Sequence, residues 1–211
     1  MSHGKFITFE GIEGVGKTTN IDFAKAWLED RGITCHLTRE PGGTPLAEEI
    51  RQLLLVHRDE KVSPLCEMLL FFASRAQHLA ERIKPALDRG EWVICSRFTD
   101  ATMAYQCYGR GMDLQMVQQL AQITHADLMP DTTILLDAPA EVGMQRAWDR
   151  GETDRIEQEK IDFFQRVREG YLKMAQQEPN RYQTVNADQP LLDVQIDLAK
   201  TLESLIQEHL I

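Results

Sequence analysis

The stretch that most constrains this chain is Gly11–Thr19, GIEGVGKTT, which fits GxxxxGK[ST] between the apolar run KFITFE and a segment of helical character. A glycine-rich turn between strand and helix can point consecutive backbone N–H groups into one concavity, to which the helix adds its N-terminal partial positive charge. Gly11, Gly14 and Gly16 supply the backbone freedom. Lys17 brings a mobile cation to the outer phosphates of a nucleotide, and the Thr18 hydroxyl can ligate Mg2+. The loop therefore reads as a cradle for a nucleotide triphosphate.

Such a cradle needs a sheet behind it. Apolar runs at 6–9, 33–37, 92–95, 133–136 and 182–185 have the look of buried parallel strands. Helical periodicity separates them. The first helix follows Gly16 and stops at Gly32; others cover 44–55, 64–89 (broken near Pro85), 112–124, 140–149, 157–177 and 190–209. Alternating strands and helices imply a five-stranded parallel sheet covered on both faces, in an α/β fold. There are more helices than simple crossovers need, which leaves some for a lid or a second site. With 211 residues and no repeat or linker, one domain spanning 1–211 is the expectation.

A net charge of −10 disfavours nucleic acid as a partner, so any anionic substrate must meet a local basic pocket. Cys35, Cys66, Cys95 and Cys107 form no CxxC pair, and reduced thiols are expected. The opening residues show no signal-peptide pattern, and no apolar run approaches the ~20 residues that span a bilayer. The sequence is that of a soluble cytoplasmic protein. Its arginines cluster after predicted strands, where open α/β sheets bind ligands. Arg39 lies in TREPGGT, Arg51 one helix further on, Arg75 in the apolar stretch LLFFASRAQ, Arg97 in SRFTDATMAYQ, and Arg146, Arg150 and Arg155 in RAWDRGETDR.

TREPGG, FFASR, the RF…AYQ…GRG run and RGETDRIE, in that order behind the phosphate loop, together resemble thymidylate kinase, the bacterial family that makes dTDP and ADP from dTMP and ATP. The resemblance covers essentially the whole chain. It implies a P-loop NTPase-type three-layer sandwich, with the P-loop at 11–19 and a short lid at about 146–157. The ATP side would comprise Gly11, Ile12, Glu13, Gly14, Val15, Gly16, Lys17, Thr18, Thr19, Arg146 and Arg150. On the dTMP side, Phe71 would stack on thymine, Arg75 would bond a base carbonyl, and Thr102 and Gln106 would read the base edge. Tyr105 would crowd the sugar 2′ position, and Glu13 would face the 3′-hydroxyl or a bridging water. Arg97 would neutralise the acceptor phosphate, with Arg39 and Arg51 either helping or serving as salt-bridge residues.

The chemistry asks little more. The acceptor's second pKa is ~6, so it is ionised at neutral pH and needs no general base. Two unit charges ~4 Å apart repel by roughly 4 kcal/mol at an effective dielectric of 20, so clustered cations are the requirement. Some family members carry a catalytic arginine inside the P-loop; Ile12, Glu13, Gly14 and Val15 include none, so the resemblance passes that role to Arg150 in the lid, beside Lys17 and Arg97. Arg155 would either contact the nucleotide or, the favoured reading, brace the lid through Asp154 or Glu157. Ser96 stands where the family usually has an aspartate near Mg2+, which implies a weaker second-shell contact; Asp137 is a lesser substitute. Cys107 and Tyr108 replace the usual glycines and either stiffen their loop or narrow the acceptor site. A homodimer packed through helices such as 67–79 and 112–123 is implied as well. Two other readings stay open. One is a kinase for another nucleoside monophosphate or a deoxynucleoside. The other is a nucleotide switch, against which the absence of Asn-Lys-x-Asp around VNADQP weighs.

Overall fold

A computed structural model describes residues 4–126, 128–151 and 154–209. Five strands, β1 (Phe6–Glu10), β2 (Cys35–Arg39), β3 (Trp92–Ser96), β4 (Thr132–Asp137) and β5 (Tyr182–Asn186), form one sheet in the order β2-β3-β1-β4-β5. Every neighbouring pair is parallel, with Phe6 opposite Val93 and Ile7 opposite Thr132. Parallel strands need crossovers that bury both faces, which is why the β1, β3 and β4 sequences are nearly continuous apolar runs. Successive residues go to opposite faces. Ile7, Phe9 and Ile94 pack with Ile21, Ala24 and Leu28 of α1 (Lys17–Glu29); Phe6, Val93 and Cys95 pack with Leu79, Ile83 and Leu87. The connection leaving β1 runs to β2 on one side of the sheet and the one leaving β3 runs to β4 on the other, so a crevice opens at the carboxyl ends of the adjacent β1 and β3.

The remaining helices are α2 (Pro45–Leu55), α3 (Pro64–His78), α4 (Lys84–Asp88), α5 (Thr99–Thr102), α6 (Leu114–His125), α7 (Ala140–Trp148), α8 (Ile161–Gln177) and α9 (Leu191–His209). The main differences from the sequence reading are these. The β2 strand lies two residues later than expected. The break in the long third helix comes before Pro85, as a π-helical turn at Leu79–Ile83; this wider turn relieves the clash a proline ring makes with the preceding turn. Residues 99–109 are helical, α5 running into a π-helical segment at Met103–Gly109. That element is buried on nearly every side, so it has no polar stripe to announce it. Finally, α8 starts at Ile161 rather than 157, because the Asp154 carboxylate takes the N–H groups of Ile156 and Glu157 into a non-helical turn.

Candidate active site

The loop after β1 is shaped by contacts that exclude side chains. A Cβ on Gly11 (φ 129°) would lie 2.4 Å from the Leu136 carbonyl oxygen, and one on Gly14 (φ 72°) 1.7 Å from that of Gly143. The side chains of Ile12 and Val15 drop into the core, which leaves only their backbone for a phosphate. No side chain caps the start of α1, so its first-turn N–H groups face the loop. The Lys17 ammonium donates to the carbonyls of Gly11 (2.9 Å) and Ile12 (2.6 Å). Burial, reinforced by Arg97, pushes its pKa down to about 7, with Glu13 opposing.

At the end of β3 the chain turns sharply, and Arg97 takes a left-handed backbone conformation (φ 70°). Its N–H bonds the Phe9 carbonyl (3.0 Å). The next N–H, of Phe98, donates to Glu10 at 2.7 Å, and the Tyr171 hydroxyl donates to the other Glu10 oxygen at 2.7 Å. Burial, followed by Asp100, raises the Glu10 carboxyl to about 7. So held, the Arg97 guanidinium crosses the phosphate loop. It donates to Gly11 O (2.9 Å), the Glu13 carboxylate (2.6 Å) and the Tyr105 hydroxyl (3.2 Å), while that hydroxyl donates to the second Glu13 oxygen (2.6 Å). Burial alone would raise the Glu13 carboxyl, but Arg97 and Lys17 outweigh it and hold it below the usual carboxylate range.

Beyond this junction lies the second half of the site. Phe71 is half-buried one turn before Arg75, which is 2% exposed. The Arg75 Nε donates to Glu40 at 2.7 Å, Nη2 donates to the Thr102 hydroxyl at 3.0 Å, and the guanidinium lies between the Phe72 and Phe98 rings. Among the described residues, Nη1 has no partner. Glu40 and Thr102 take two of the three guanidinium nitrogens, which leaves Nη1 for the base carbonyl that the sequence reading assigns to Arg75. Glu40 was overlooked, although a buried arginine in an apolar helix calls for a carboxylate and TREPGG contains one. His78 completes this cluster, its Nδ1 3.1 Å from the other Glu40 oxygen. Gln106 donates from Nε2 to Glu67 (2.8 Å), another residue the sequence reading passed over, and its Oε1 has no partner among the described residues. Arg39 is largely engaged by Glu48 (3.0 and 2.9 Å) and Arg51 donates to the Pro41 carbonyl (3.0 Å).

Over the crevice, Arg146 on α7 donates to the Ala187 carbonyl (2.9 Å). Arg150, just past α7, is well exposed and donates to Glu157 at 3.1 Å. Glu152 and Thr153, within the expected lid, lie outside the described residues. Arg155 does brace this segment, but not through Asp154 or Glu157: it bonds the Leu54 carbonyl (3.0 Å) and pairs with Glu67. Tyr108 packs its ring on Gly170 of α8 and does not line the crevice, so it stiffens its loop without narrowing the site.

The phosphate loop, Arg97 and the acceptor-side residues border one cavity of about 620 Å3. Its lining runs from Glu13, Gly14, Gly16, Lys17, Thr18 and Thr19 through Ser96, Arg97 and Tyr105 to Phe71, Arg75, Thr102 and Gln106, with Arg39, Arg51, Arg146 and Arg150 around it. Asp137 is taken up by Arg168 in a two-point ion pair (2.7 and 2.8 Å), which removes it as a metal ligand. Among the described residues no three His, Cys, Asp or Glu side chains are grouped to hold a metal. The oxygens on offer beside the loop are the neutral hydroxyls of Thr18 and Ser96. Such a donor set fits Mg2+ that keeps waters and arrives on phosphate oxygens.

Residues 9–198 match the family model described as thymidylate kinase. A thymidylate kinase of Teredinibacter turnerae is 50% identical over 203 residues, covering 96% of this chain and 99% of the relative. One from Pseudomonas syringae pv. tomato is 54% identical over 204 residues, 97% of each chain. The crystal structure of thymidylate kinase from Ehrlichia chaffeensis superposes with a TM-score of 0.76 at 35% identity, covering 95% of this chain and 99% of that one.

Proposed function

The chain belongs to the thymidylate kinase family and phosphorylates dTMP to dTDP with ATP as donor, and on that premise we propose how its residues divide the work. The observation that carries the proposal is the Arg97–Glu13–Tyr105 junction, where the triphosphate loop and the arginine-lined acceptor pocket meet in one cavity. A nucleotide switch has no use for that second anion site.

In this reading the loop N–H groups from Gly11 to Thr19, Lys17 and Arg146 hold ATP. Phe71, Arg75, Thr102 and Gln106 hold the thymine, Glu13 and Tyr105 the sugar, and Arg97, assisted by Arg39 and Arg51, the acceptor phosphate. Lys17, Arg97 and Arg150 neutralise the charge that develops as the phosphoryl group moves in line between two anions. The acceptor is already ionised, so no residue acts as general base. Thr18 and Ser96 are the residues that would hold Mg2+ arriving with the triphosphate, and the ion would supply further positive charge. Residues 1–211 act as one nucleoside-monophosphate kinase domain with its lid at about 146–157.

Two wider elements complete the proposal. Exposed Leu65 and Leu69 on α3 and Met116 and Ile123 on α6 favour a homodimer through these helices; a monomer in sedimentation at micromolar protein would refute it. The nucleotide substrates and four free thiols fit the cytoplasm, and no helix of the described residues is long and apolar enough to cross a membrane. The division of roles is tested by coupled ADP release with ATP and each nucleoside monophosphate in turn. Selective stimulation by dTMP that is lost in Phe71→Ala and Arg75→Ala is expected; equal stimulation by other monophosphates, or intact selectivity in the variants, contradicts it.

A further inference from the structure

Two helical segments face each other across the acceptor pocket, and their polar side chains pair rung by rung. On α3, Glu67, Phe71 and Arg75 recur every four residues and share one face. On the opposing segment the corresponding residues are Thr102, Gln106 and Arg110. Arg75 bonds Thr102 (3.0 Å), and Glu67 receives Gln106 (2.8 Å) and Arg110 (2.9 Å), with Arg155 reaching the same carboxylate from the lid root. Glu67 itself is 1% exposed and does not border the cavity.

A carboxylate can only accept. Glu67 therefore obliges the Gln106 amide to turn its nitrogen toward the carboxylate, and the oxygen of this cavity-lining residue is left buried and unpaired among the described residues. Arg75 has the opposite fixed character: its remaining Nη1 is a donor and nothing else. The pocket wall thus holds one obligate donor and one obligate acceptor, both buried and unpaired among the described residues. A 4-keto pyrimidine answers both, its O4 accepting and its N3–H donating. A 4-amino pyrimidine answers neither, since its amino group donates and its N3 accepts.

We propose that Glu67 is a positioning residue for base selectivity: without touching the substrate, it locks the Gln106 amide so that the pocket presents an acceptor to N3–H and rejects cytosine. The inference rests on the assignment of Gln106 to the base. It extends that assignment by naming what fixes the amide's direction.

The test compares kcat/KM for dTMP, dUMP and dCMP in the wild type, Glu67→Gln, Gln106→Leu and the swap Glu67→Gln/Gln106→Glu. A glutamine at 67 can donate or accept, so it frees Gln106 to turn its nitrogen toward the base. The dTMP/dCMP ratio of Glu67→Gln is expected to fall by about tenfold or more, the scale on which unpaired buried groups discriminate substrates. The dTMP/dUMP ratio should hold, because both bases share the keto edge. In the swap, the carboxylate at 106 accepts whichever way it turns, and the dTMP/dCMP ratio should return to the wild-type value or above. The swap keeps one carboxylate beside Arg110 and Arg155, so it reports even if Glu67→Gln alone fails to fold. A uniform loss for all three substrates in Glu67→Gln, or a swap ratio below wild type, overturns the proposal. Gln106→Leu separates the two claims. If it lowers the dTMP/dCMP ratio while Glu67→Gln does not, the Glu67 proposal fails and Gln106 keeps its assignment; if it leaves the ratio unchanged, both fail.

Discussion

Lys17 shows how one residue is prepared for its ligand. Its ammonium is pushed down to about 7, first by burial and then by Arg97, so at pH 8 much of it is neutral. A bound triphosphate restores the charge. ATP binding at pH 8 should therefore take up protons, read by calorimetry in buffers of different ionisation enthalpy. Uptake that disappears in Lys17→Met is expected, and heats that coincide across buffers contradict it. The same shift has a sign for stability. Between pH 7 and the ordinary 10.5 the unfolded chain binds more protons at this site than the folded one, so the contribution of Lys17 to stability rises with pH across that window. The P-loop residues were legible because spacing and glycine content alone define them. Glu10 and Tyr171 were not, because they act on the turn that aims Arg97 and only the fold brings positions 161 apart in sequence to 2.7 Å.

Among the elements, the segment 99–109 departs most from what a sequence reading sees. It carries Thr102 and Gln106, proposed to read the base, and Tyr105, proposed to face the sugar, yet its helical nature was hidden by burial on nearly all sides. Motif matching found the residues, and periodicity could not find the helix. Tyr108 anchors this segment against α8, where even a Cβ on Gly170 would sit 2.6 Å from its ring. Tyr108→Gly should lower stability by about 1–3 kcal/mol in urea denaturation, with the KM for dTMP unchanged. A raised KM at full stability would place the ring in the acceptor site instead. The proposed lid is tied at its far root by Arg155 to Leu54 and Glu67, and the exposed Arg150 side chain is held by Glu157 at 3.1 Å among the described residues. Arg150→Ala should reduce kcat by ~10³–10⁵, the range of arginine fingers, with little change in the KM for dTMP. An effect mainly on KM would make Arg150 a binding residue.

For the molecule as a whole, strand order decides where chemistry can occur. Continuous apolar runs made the parallel sheet legible, and with it the carboxyl-end crevice; the order β2-β3-β1-β4-β5, which sets β3 beside β1, came from pairing between distant segments. That adjacency brings Arg97, from the end of one strand, onto the phosphate loop that follows the other. The proposed donor and acceptor sites thereby border one cavity. The most direct test is inhibition by a single molecule in which adenosine and thymidine are joined through their 5′ positions by five phosphates. It should compete with ATP and also with dTMP, and Arg97→Ala should weaken it against both. Competition with one substrate only would contradict a shared cavity.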